Sequence, residues 1–434
     1  MPSSPKARTS GSSDARGSVE VGANEAERIR NRILGAGSVD DPYPRYDALR
    51  ESGPVHEGTI AAAFALEGAP ATPTTDGAKQ FSCYDWTTVE EVLCDAETFS
   101  STWYKPLLEP TVGTSLIQLD GAEHRRHREL IQPALTRSRI DGWRDRWIQP
   151  TVDRILDDCI ERGGPVNLYT ELCAQLPVYT IASAFGIAGD DVSRFHDLAI
   201  RTVGGTGDPA DSIRASQEIA KYLGEVVADR RAHPKDDLIS LLCTAEMRDA
   251  DGGGRHVLDD EEILAFARVM LPAGAGTTYR GLGCLLLGLL QTGQLELLRS
   301  ERHRLDDAIE EALRWEQPLT SLGRVATRDT ELAGVPIPKG SQVYACVAAA
   351  NHDPSRWPDP HRFDITREHR VHASFGLGPH LCIGMHLARV ELRTAMNAIL
   401  DRLPGLRLDP DAPEPWITGL VFRMPTAVPV VFEA

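Results

Sequence analysis

Residues 375–384 read Phe-Gly-Leu-Gly-Pro-His-Leu-Cys-Ile-Gly, so that one cysteine, Cys382, stands among three glycines and a proline. The glycines at 376, 378 and 384 permit positive φ angles and let the backbone approach a flat group closely. Such a loop also turns backbone N–H groups towards the sulfur, and a helix expected from near Ile383 adds its positive end. Both features stabilise a thiolate that can bind a metal. The alternative is a buried cysteine in a glycine-rich turn, because a free cysteine usually behaves as a small apolar residue.

The order Phe-Gly-x-Gly-x-His-x-Cys-x-Gly resembles the haem-ligand signature of the cytochrome P-450 family, and every fixed position is matched. The resemblance implies a mainly α-helical fold with small β-sheets, in which a long central helix crosses over one haem b. It makes Cys382 the ligand of the haem iron and places Phe375, Gly376 and Gly384 beside the cofactor. A thiolate ligand pushes electron density onto haem iron and favours cleavage of the O–O bond.

Two weaker motifs precede the cysteine in the order that this family would require. Glu311-Ala-Leu-Arg314 resembles the family's Glu-x-x-Arg motif, although Glu and Arg at this spacing are usually a solvated pair on a helix. Pro360-His-Arg362-Phe363 resembles the segment whose arginine completes a Glu–Arg–Arg cluster, and we assign Arg362 to that cluster. The resemblance gives the cluster a structural role and no catalytic one.

A group of basic residues follows Leu119-Asp120 at the start of a predicted helix. His124 and Arg128 are four residues apart there and share one helix face. Haem carries two propionates, which need cationic hydrogen-bond donors when they are buried. The residues that the resemblance places around the propionates are His124, Arg128, Arg324 and His380. A basic, solvated helix face is the alternative for the first two.

Residues 259–291 form one long apolar pattern that begins with four acidic residues, Asp259 to Glu262. Acidic side chains favour a helix N-terminus, and a helix that is apolar all round is a buried one. In its middle stands Pro272-Ala-Gly-Ala-Gly-Thr-Thr278, where a proline and two glycines predict a bulge or kink.

This segment resembles the family's oxygen-binding helix, with Ala273 beside the haem, Thr277 as the proton-relay hydroxyl and Thr278 next to it. A threonine bonded back to its own helix is the alternative. The family usually has an acid just before the relay threonine, whereas this chain has Gly276. We therefore expect slower or differently routed proton delivery and more release of peroxide, with water, Thr277 or a polar substrate group carrying the protons. A different oxidation with less need for the acid is a second possibility.

The composition narrows the class of protein. The 434 residues carry 63 acidic and 46 basic side chains, for a net charge of −17, which does not suit nucleic-acid binding. The sequence has no run of about 18 apolar residues, which a membrane span would need, and residues 1–18 lack the apolar stretch of a secretory signal. We expect a cytoplasmic protein whose eight cysteines are mostly free thiols, since no Cys-x-x-Cys pair suggests zinc.

The pattern of the chain predicts a flexible tail over residues 1–25 and a single domain over 26–434, which no linker-like stretch interrupts. We expect mostly helix between Glu123 and Met247 and strands over 324–347 and 428–432. Further expectations are a capped helix over 85–99, irregular structure over 100–120 and a loop over 250–256.

By resemblance, the protein inserts one atom of O2 into an organic substrate with two electrons from NAD(P)H. A separate ferredoxin-type protein and its reductase would deliver them, because the chain shows no flavin or iron–sulfur motif. Arg125, Arg126 and His127 are expected to form a basic patch for that acidic partner. We expect a monomer that hydroxylates a small or medium-sized, largely apolar molecule in natural-product metabolism, with no nucleic-acid or membrane partner.

Several alternatives stay open at this point. The same haem would support oxidative coupling, desaturation or a peroxide-driven oxidation; a non-catalytic haem sensor and a metal-free helical protein are the others. Candidate walls of the substrate pocket, for which core packing is an equal explanation, are Trp103, Tyr104, Val269, Ala273, Leu322, Leu420 and Val421.

Overall fold

The longest apolar stretch of the sequence forms a buried helix with a widened turn in the middle. In the computed structural model, which describes residues 39–66, 77–187, 189, 191–202, 209–248 and 254–433, helix runs over Asp260–Met270 and again over Gly276–Gln291. A π-helical turn, Leu271–Ala275, joins the two parts, as the proline and glycines there predict. Asp259 and Glu262 form a capping box at the N-terminus, so the acidic start of this segment caps the helix.

Helices surround this central element and form the larger part of the structure. Those before it are α1 Tyr43–Ser52, α2 Ile60–Ala63, α3 Trp86–Cys94, α4 Lys105–Val112, α5 Gly121–Ile131, α6 Arg137–Trp143, α7 Gln149–Arg162, α8 Leu176–Ala184, α9 Asp191–Thr202, α10 Pro209–Ala232 and α11 Leu238–Thr244. The central element is α12 Asp260–Met270 and α13 Gly276–Gln291, and the helices after it are α14 Gln294–Ser300, α15 Leu305–Trp315, α16 Val347–Asn351 and α17 Met385–Arg402.

The strands are short and lie mostly at one side of the helices. They are β1 Val55–Glu57, β2 Gln80–Cys83, β3 Phe99–Ser100, β4 Val166–Asn167, β5 Glu246–Arg248, β6 Arg255–Val257, β7 Leu322–Ala326, β8 Thr330–Leu332, β9 Val335–Ile337, β10 Gln342–Ala345, β11 Arg407–Leu408, β12 Ile417–Thr418, β13 Met424–Pro425 and β14 Pro429–Val431.

The largest sheet has the order β1-β2-β10-β7-β3, in which only the β2–β10 pair is parallel. A second sheet, β11-β14-β4, ties the C-terminal strand to the middle of the chain. Three hairpins, β5-β6, β8-β9 and β12-β13, complete the strands of the described residues. The mainly α-helical fold with small sheets is therefore confirmed, and so are the strands predicted over 324–347 and 428–432.

The hydrophobic core consists of separate clusters in the helical part and beside the main sheet. A large helical cluster packs around α13, where Leu282, Leu285 and Leu286 are fully buried. A smaller apolar cluster lies under the main sheet, and a third joins α1 to β10 through Tyr46, Tyr84 and Tyr344. Phe375 of the cysteine loop packs against the helical cluster and Leu377 against the cluster under the main sheet, so the loop lies between the two.

Two local predictions were wrong. Residues 105–112, expected to be irregular, form α4 despite Pro110, because Pro106 stands at a helix N-terminus where its missing N–H costs nothing. Arg255 and His256, expected in a loop, belong to strand β6, which pairs with β5; residues 249–253 lie outside the described residues. The helix predicted over 85–99 is confirmed over Trp86–Cys94 as α3, with Asp85 accepting a hydrogen bond from the Thr88 backbone as its cap, but it ends earlier than predicted, since 96–98 form a turn and Phe99 begins β3.

Among the described residues, no single helix is long and apolar enough to cross a membrane. One pair of consecutive helical segments, Asp260–Gln291 and Gln294–Ser300, has the length and composition of a membrane span when taken together, but it is bent by 98° between the two segments. The predicted tail over 1–25 and the expected start of order near Ala26 lie outside the described residues. The single domain over 26–434 stays a prediction.

Candidate active site

The cysteine loop has the backbone that its glycines predict at two of three positions. Gly376 and Gly378 have φ angles of +72° and +68°, and a Cβ on Gly378 would lie 2.6 Å from the carbonyl oxygen of Leu93. Only glycine fits there without strain. Gly384 differs from the prediction, since its φ is −88°. It precedes the first turn of α17, and a Cβ there would lie 3.9 Å from the Cys382 sulfur, which is an ordinary contact.

Cys382 is open to solvent although protein surrounds its sulfur. This combination is expected of a side chain that faces an internal space rather than the outer surface. Burial raises the pKa of its thiol, and hydrogen bonds from the backbone of Gly384 and Met385, with the charges of Arg128 and Arg389, oppose that shift. The loop thus presents N–H donors and positive charge to the sulfur, which suits a thiolate once a cation binds it.

The predicted propionate residues lie close together in part. The rings of His124 and His380 are 4.1 Å apart, and His380 Nε2 lies 3.2 Å from Asp120 Oδ1. Arg128 donates to the carbonyl of Pro379 at 3.4 Å, beside the same loop. Burial and the neighbouring charges of His380 and Arg128 lower the pKa of His124 to about 4. A site whose cationic groups depress one another is one that an added anion would stabilise.

Buried polar atoms near this group also lack partners. Arg324 is buried on β7, where its Nη1 donates to the Gly323 carbonyl at 2.8 Å. The buried atoms that have no hydrogen-bond partner in the described part of the chain include Ser101 Oγ, Trp103 Nε1, His124 Nε2 and Arg324 Nε. Such orphaned donors are rare in folded proteins and point to a missing acceptor. Carboxylates of a haem supply acceptors of this kind, so the residues present fit the cofactor.

The widened turn of the central helix and the first turn after it carry the other predicted site residues. Ala273 is exposed and Thr277 half-buried, although the helix around them is buried, so this face of the helix borders open space. Thr277 Oγ1 donates to the carbonyl of Ala273 at 2.7 Å. The bond back to its own helix, foreseen as the alternative, is therefore present, and it leaves the oxygen lone pairs of Thr277 free to accept. Thr278 is buried.

Sequence reasoning missed Arg280, one turn after Gly276. It is 1% exposed, and its guanidinium donates to the Gly276 carbonyl. The signal was its charge, because Arg268 and Arg280 are the two charged residues within the apolar run 263–290, and a charge in such a run indicates a buried polar contact.

The Glu–Arg–Arg cluster forms with a different second arginine. Glu311 receives Arg314 Nε at 2.7 Å and Nη2 at 2.9 Å. Arg367 Nε lies 3.0 Å from Glu311 Oε1, whereas the Arg362 side chain is 70% exposed and approaches Asp364. The assignment of Arg362 was therefore wrong: only its backbone carbonyl takes part, accepting from Arg314 and Arg367.

The predicted basic patch is mostly absent. His127 is 4% exposed, and its Nε2 lies 3.1 Å from Glu262 Oε1. Arg126 pairs with the same carboxylate, so only Arg125 of the three is exposed. The capping box explains the difference, because Glu262 at the start of α12 stands against this face of α5.

The predicted pocket-wall residues include partly exposed side chains and side chains that are buried in the core. Trp103, Tyr104, Leu322 and Val421 are partly exposed, and a Cβ on Gly323 would lie 2.2 Å from the Trp103 ring, so the indole lies flat on that glycine. Leu420 is fully buried in the cluster with Tyr46, and Val269 is 3% exposed in the helical core. Core packing, the alternative given for each, accounts for these two.

Known proteins resemble the chain over most of its length. The cytochrome P-450 family profile matches residues 210–415. The cytochrome P-450 monooxygenase PikC of Streptomyces venezuelae is 33% identical over 401 residues, which cover 89% of this chain and 91% of PikC. Nocardicin C N-oxygenase of Nocardia uniformis subsp. tsuyamanensis is 36% identical over 324 residues, covering 73% of this chain and 79% of that enzyme.

Among solved structures, the LnmA cytochrome P-450 hydroxylase from the leinamycin biosynthetic pathway of Streptomyces atroolivaceus has a TM-score of 0.78. It is 31% identical, and the match covers 91% of this chain and 98% of LnmA. Since both sequence and fold agree over nearly the whole chain, the protein belongs to the cytochrome P-450 family and is a haem monooxygenase, an oxidoreductase.

Proposed function

We propose that the protein hydroxylates a small or medium-sized, largely apolar organic molecule of natural-product metabolism. The observation that carries the proposal is Cys382, whose side chain is exposed although protein surrounds its sulfur, and which accepts hydrogen bonds from the backbone of Gly384 and Met385. LnmA, a hydroxylase from the leinamycin biosynthetic pathway, supports the association with natural-product metabolism. An apolar substrate suits the predicted pocket walls that are partly exposed, which are Trp103, Tyr104, Leu322 and Val421.

Cys382 would bind the haem iron, and Phe375, Gly376 and Gly384 would lie beside the macrocycle. The residues proposed for the propionates are His124, Arg128, Arg324 and His380. What supports this assignment is that His124 Nε2 and Arg324 Nε are buried and have no hydrogen-bond acceptor in the described structure. When bound, the haem supplies the chemistry that activates O2 and transfers one of its atoms. Ala273 would leave room above the cofactor, since its side chain is small and exposed.

Thr277 would hold a proton-carrying hydroxyl at the open face of the widened turn. Its hydroxyl hydrogen points to Ala273 O, so its oxygen is oriented to accept a hydrogen bond from water or substrate. Gly276 offers no side chain to recharge it, and Thr278 is buried. Protons would therefore arrive through water or a polar group of the substrate. Such a route is consistent with a larger loss of electrons to peroxide.

Electrons would come from NAD(P)H through a ferredoxin-type protein and its reductase. The chain's contribution to docking is smaller than the sequence suggested, since Arg126 and His127 pair with Glu262. Arg125 is exposed and stays in the proposal as a docking residue.

A carbon-monoxide difference spectrum of the purified protein tests the haem–thiolate assignment. We expect the long-wavelength band of a thiolate complex, and loss of that band in Cys382→Ser; the same band and activity in the variant would refute the proposal. A screen of terpenes, steroids, aromatics and cyclic peptides for shifts of the haem spin state would then find the substrate class. Product formation from peroxide alone, or spectral change without any oxygen consumption, would favour the peroxide-driven or the sensor alternative.

A further inference from the structure

Asp120 stands at the N-cap position of α5 but does not cap its own helix. An aspartate at this position normally accepts a hydrogen bond from a backbone N–H in the first turn of the helix that follows it. The backbone angles of Asp120, φ −129° and ψ 172°, are those of an N-cap residue, yet its side chain makes no such bond. The carboxylate is therefore bonded to other parts of the chain.

The carboxylate of Asp120 joins the end of β3 to the cysteine loop. The backbone nitrogen of Ser101 lies 3.2 and 3.1 Å from its two oxygens, and the Ser100 hydroxyl donates to Oδ2 at 2.5 Å. From the cysteine loop, Nε2 of His380 lies 3.2 Å from Oδ1. Burial raises the pKa of Asp120, but these hydrogen bonds outweigh it and hold the pKa below its usual value. The group is thus an anion fixed between the two segments.

Ser101 also carries a buried hydroxyl that lacks a partner. The residue is 1% exposed, and its Oγ makes no hydrogen bond in the described part of the chain. Strand β3 pairs with β7 antiparallel, and Ser100 lies opposite Val325. The next residue, Ser101, therefore comes beside Arg324, whose Nε is buried without a partner as well. Two neighbouring buried donors of this kind indicate that an acceptor is missing beside them.

Resting on the proposed function, we propose that Ser101 is a further donor to the haem carboxylates and that Asp120 is the positioning residue for Ser101 and His380. A cofactor carboxylate that meets Ser101 and Arg324 would supply both missing acceptors. Because Asp120 bonds to the Ser101 backbone and to the His380 ring, it keeps these two donors at a fixed separation, as outer partners of ligating groups do. The aspartate gives up its helix cap and organises the carboxylate site instead.

Haem release and resonance Raman spectra of the loaded enzyme test Ser101. Ser101→Ala removes one buried hydroxyl, so haem should transfer to excess apomyoglobin about tenfold faster, as expected for loss of a hydrogen bond to a charged group. The bending mode of the haem propionates should also move to lower frequency, since it reports on their hydrogen bonds. Ser138→Ala, at an exposed position on α6, is the matched control and should change neither readout. A parental propionate mode in Ser101→Ala would overturn the proposal, whatever the release rate.

A double-mutant cycle tests whether Asp120 acts through Ser101. We expect Ser101→Ala to speed haem release less than about threefold in an Asp120→Ala background, against about tenfold in the parent. A tenfold effect in both backgrounds would show that Asp120 does not position Ser101. If Asp120→Ala does not fold, Asp120→Glu, which displaces the carboxylate by one methylene, takes its place in the cycle.

A conservative variant separates hydrogen bonding by Asp120 from its charge. Asp120→Asn keeps an acceptor oxygen for the Ser101 N–H, so its haem release should stay within about threefold of the parental rate. Asp141→Asn, exposed on α6, is the matched control and should release haem at the parental rate. Release from Asp120→Asn as fast as from Asp120→Ala would count against a positioning role.

The carbon-monoxide spectrum of the parent reports on the proposed function separately. A parent without the thiolate band would refute that function, whereas haem release and the propionate mode would still report on the carboxylate site. A parent that shows the band, together with a Ser101→Ala variant whose propionate mode is unchanged, would refute the role of Ser101 and leave the proposed function standing.

Discussion

The guanidinium carbon of Arg389 lies 4.5 Å from the centroid of the Phe375 ring, on the first residue of the cysteine loop. Glu310 holds the arginine there, since its two carboxylate oxygens accept bonds of 2.6 and 2.7 Å. His372 Nε2 contacts the same carboxylate at 3.1 Å. The charges of Arg389 and Glu310 therefore lie beside the first residue of the loop that carries Cys382. Their effects on the sulfur have opposite signs.

This arrangement predicts opposite changes in the midpoint potential of the haem iron. Arg389→Met removes a positive charge, which disfavours the reduced state, so the potential should fall by on the order of 50 mV. Glu310→Gln should raise it, because Arg389 then acts without its counter-charge. Spectroelectrochemistry of the two variants measures both shifts. Shifts of the same sign would show that packing against Phe375, rather than charge, connects this pair to the cysteine.

The second prediction concerns retention of the cofactor. His124→Leu removes a buried donor that lacks an acceptor among the described residues, so haem should dissociate about tenfold faster, as expected for loss of one hydrogen bond to a charged group. Transfer of haem to excess apomyoglobin gives the rate. Arg125→Ala, one residue away but exposed, is the matched control and should leave the rate unchanged. If both variants released haem at the parental rate, His124 would not contact the propionates.

The third prediction separates the two arginines of the 360–367 segment. Arg367→Ala leaves Glu311 with one of its two cationic partners, and we expect a loss of about 2 kcal/mol in the free energy of unfolding. Arg362→Ala removes an exposed side chain and should change stability by less than about 0.5 kcal/mol. Urea unfolding of both variants decides the assignment. The reverse order would restore the motif-based assignment of Arg362.

The difference between these arginines shows what the sequence could predict. Spacing along the chain located the cysteine loop, the widened turn near Gly276 and the buried helix, because those features depend on local backbone preferences. It could not tell Arg362 from Arg367, since both lie in a loop whose path is fixed by the Glu311 carboxylate of another element and by carbonyls of the loop itself, at Pro358 and Asp359. The same reason explains His127, whose burial depends on Glu262 from another helix.

The fourth prediction tests the hydroxyl of Thr277. Thr277→Ala removes the oxygen at the open face of the widened turn and leaves the helix backbone unchanged. With a substrate from the spin-state screen, the fraction of electrons released as hydrogen peroxide should rise several-fold while the carbon-monoxide spectrum is retained. Thr278→Val, at a buried neighbouring position, is the control and should affect peroxide yield much less. Equal yields in parent and Thr277→Ala would remove Thr277 from the relay.

The last prediction concerns Glu391, a carboxylic acid on α17 that is 2% exposed and whose Oε1 has no partner in the described structure. Burial raises the pKa of the Glu391 carboxyl to about 8, even though a hydrogen bond with Thr180 acts in the opposite direction. An unfolded chain would release this proton near pH 4.3. Folding therefore favours the protonated acid, so its contribution to stability is complete below about pH 4 and is lost progressively as the pH rises towards 8.

Glu391→Gln replaces the protonated acid with a neutral group of similar shape that does not titrate. The stability of the parent relative to this variant should fall between pH 5 and 8 by at most about 1.4 kcal/mol per pH unit. Urea unfolding of the haem-loaded proteins across this range measures the slope. Glu368→Gln, at a side chain that is 82% exposed, is the matched control and should leave the parental slope unchanged. A parent and a Glu391→Gln variant with parallel profiles would mean that Glu391 is ionised in the folded protein and has a partner that compensates its charge.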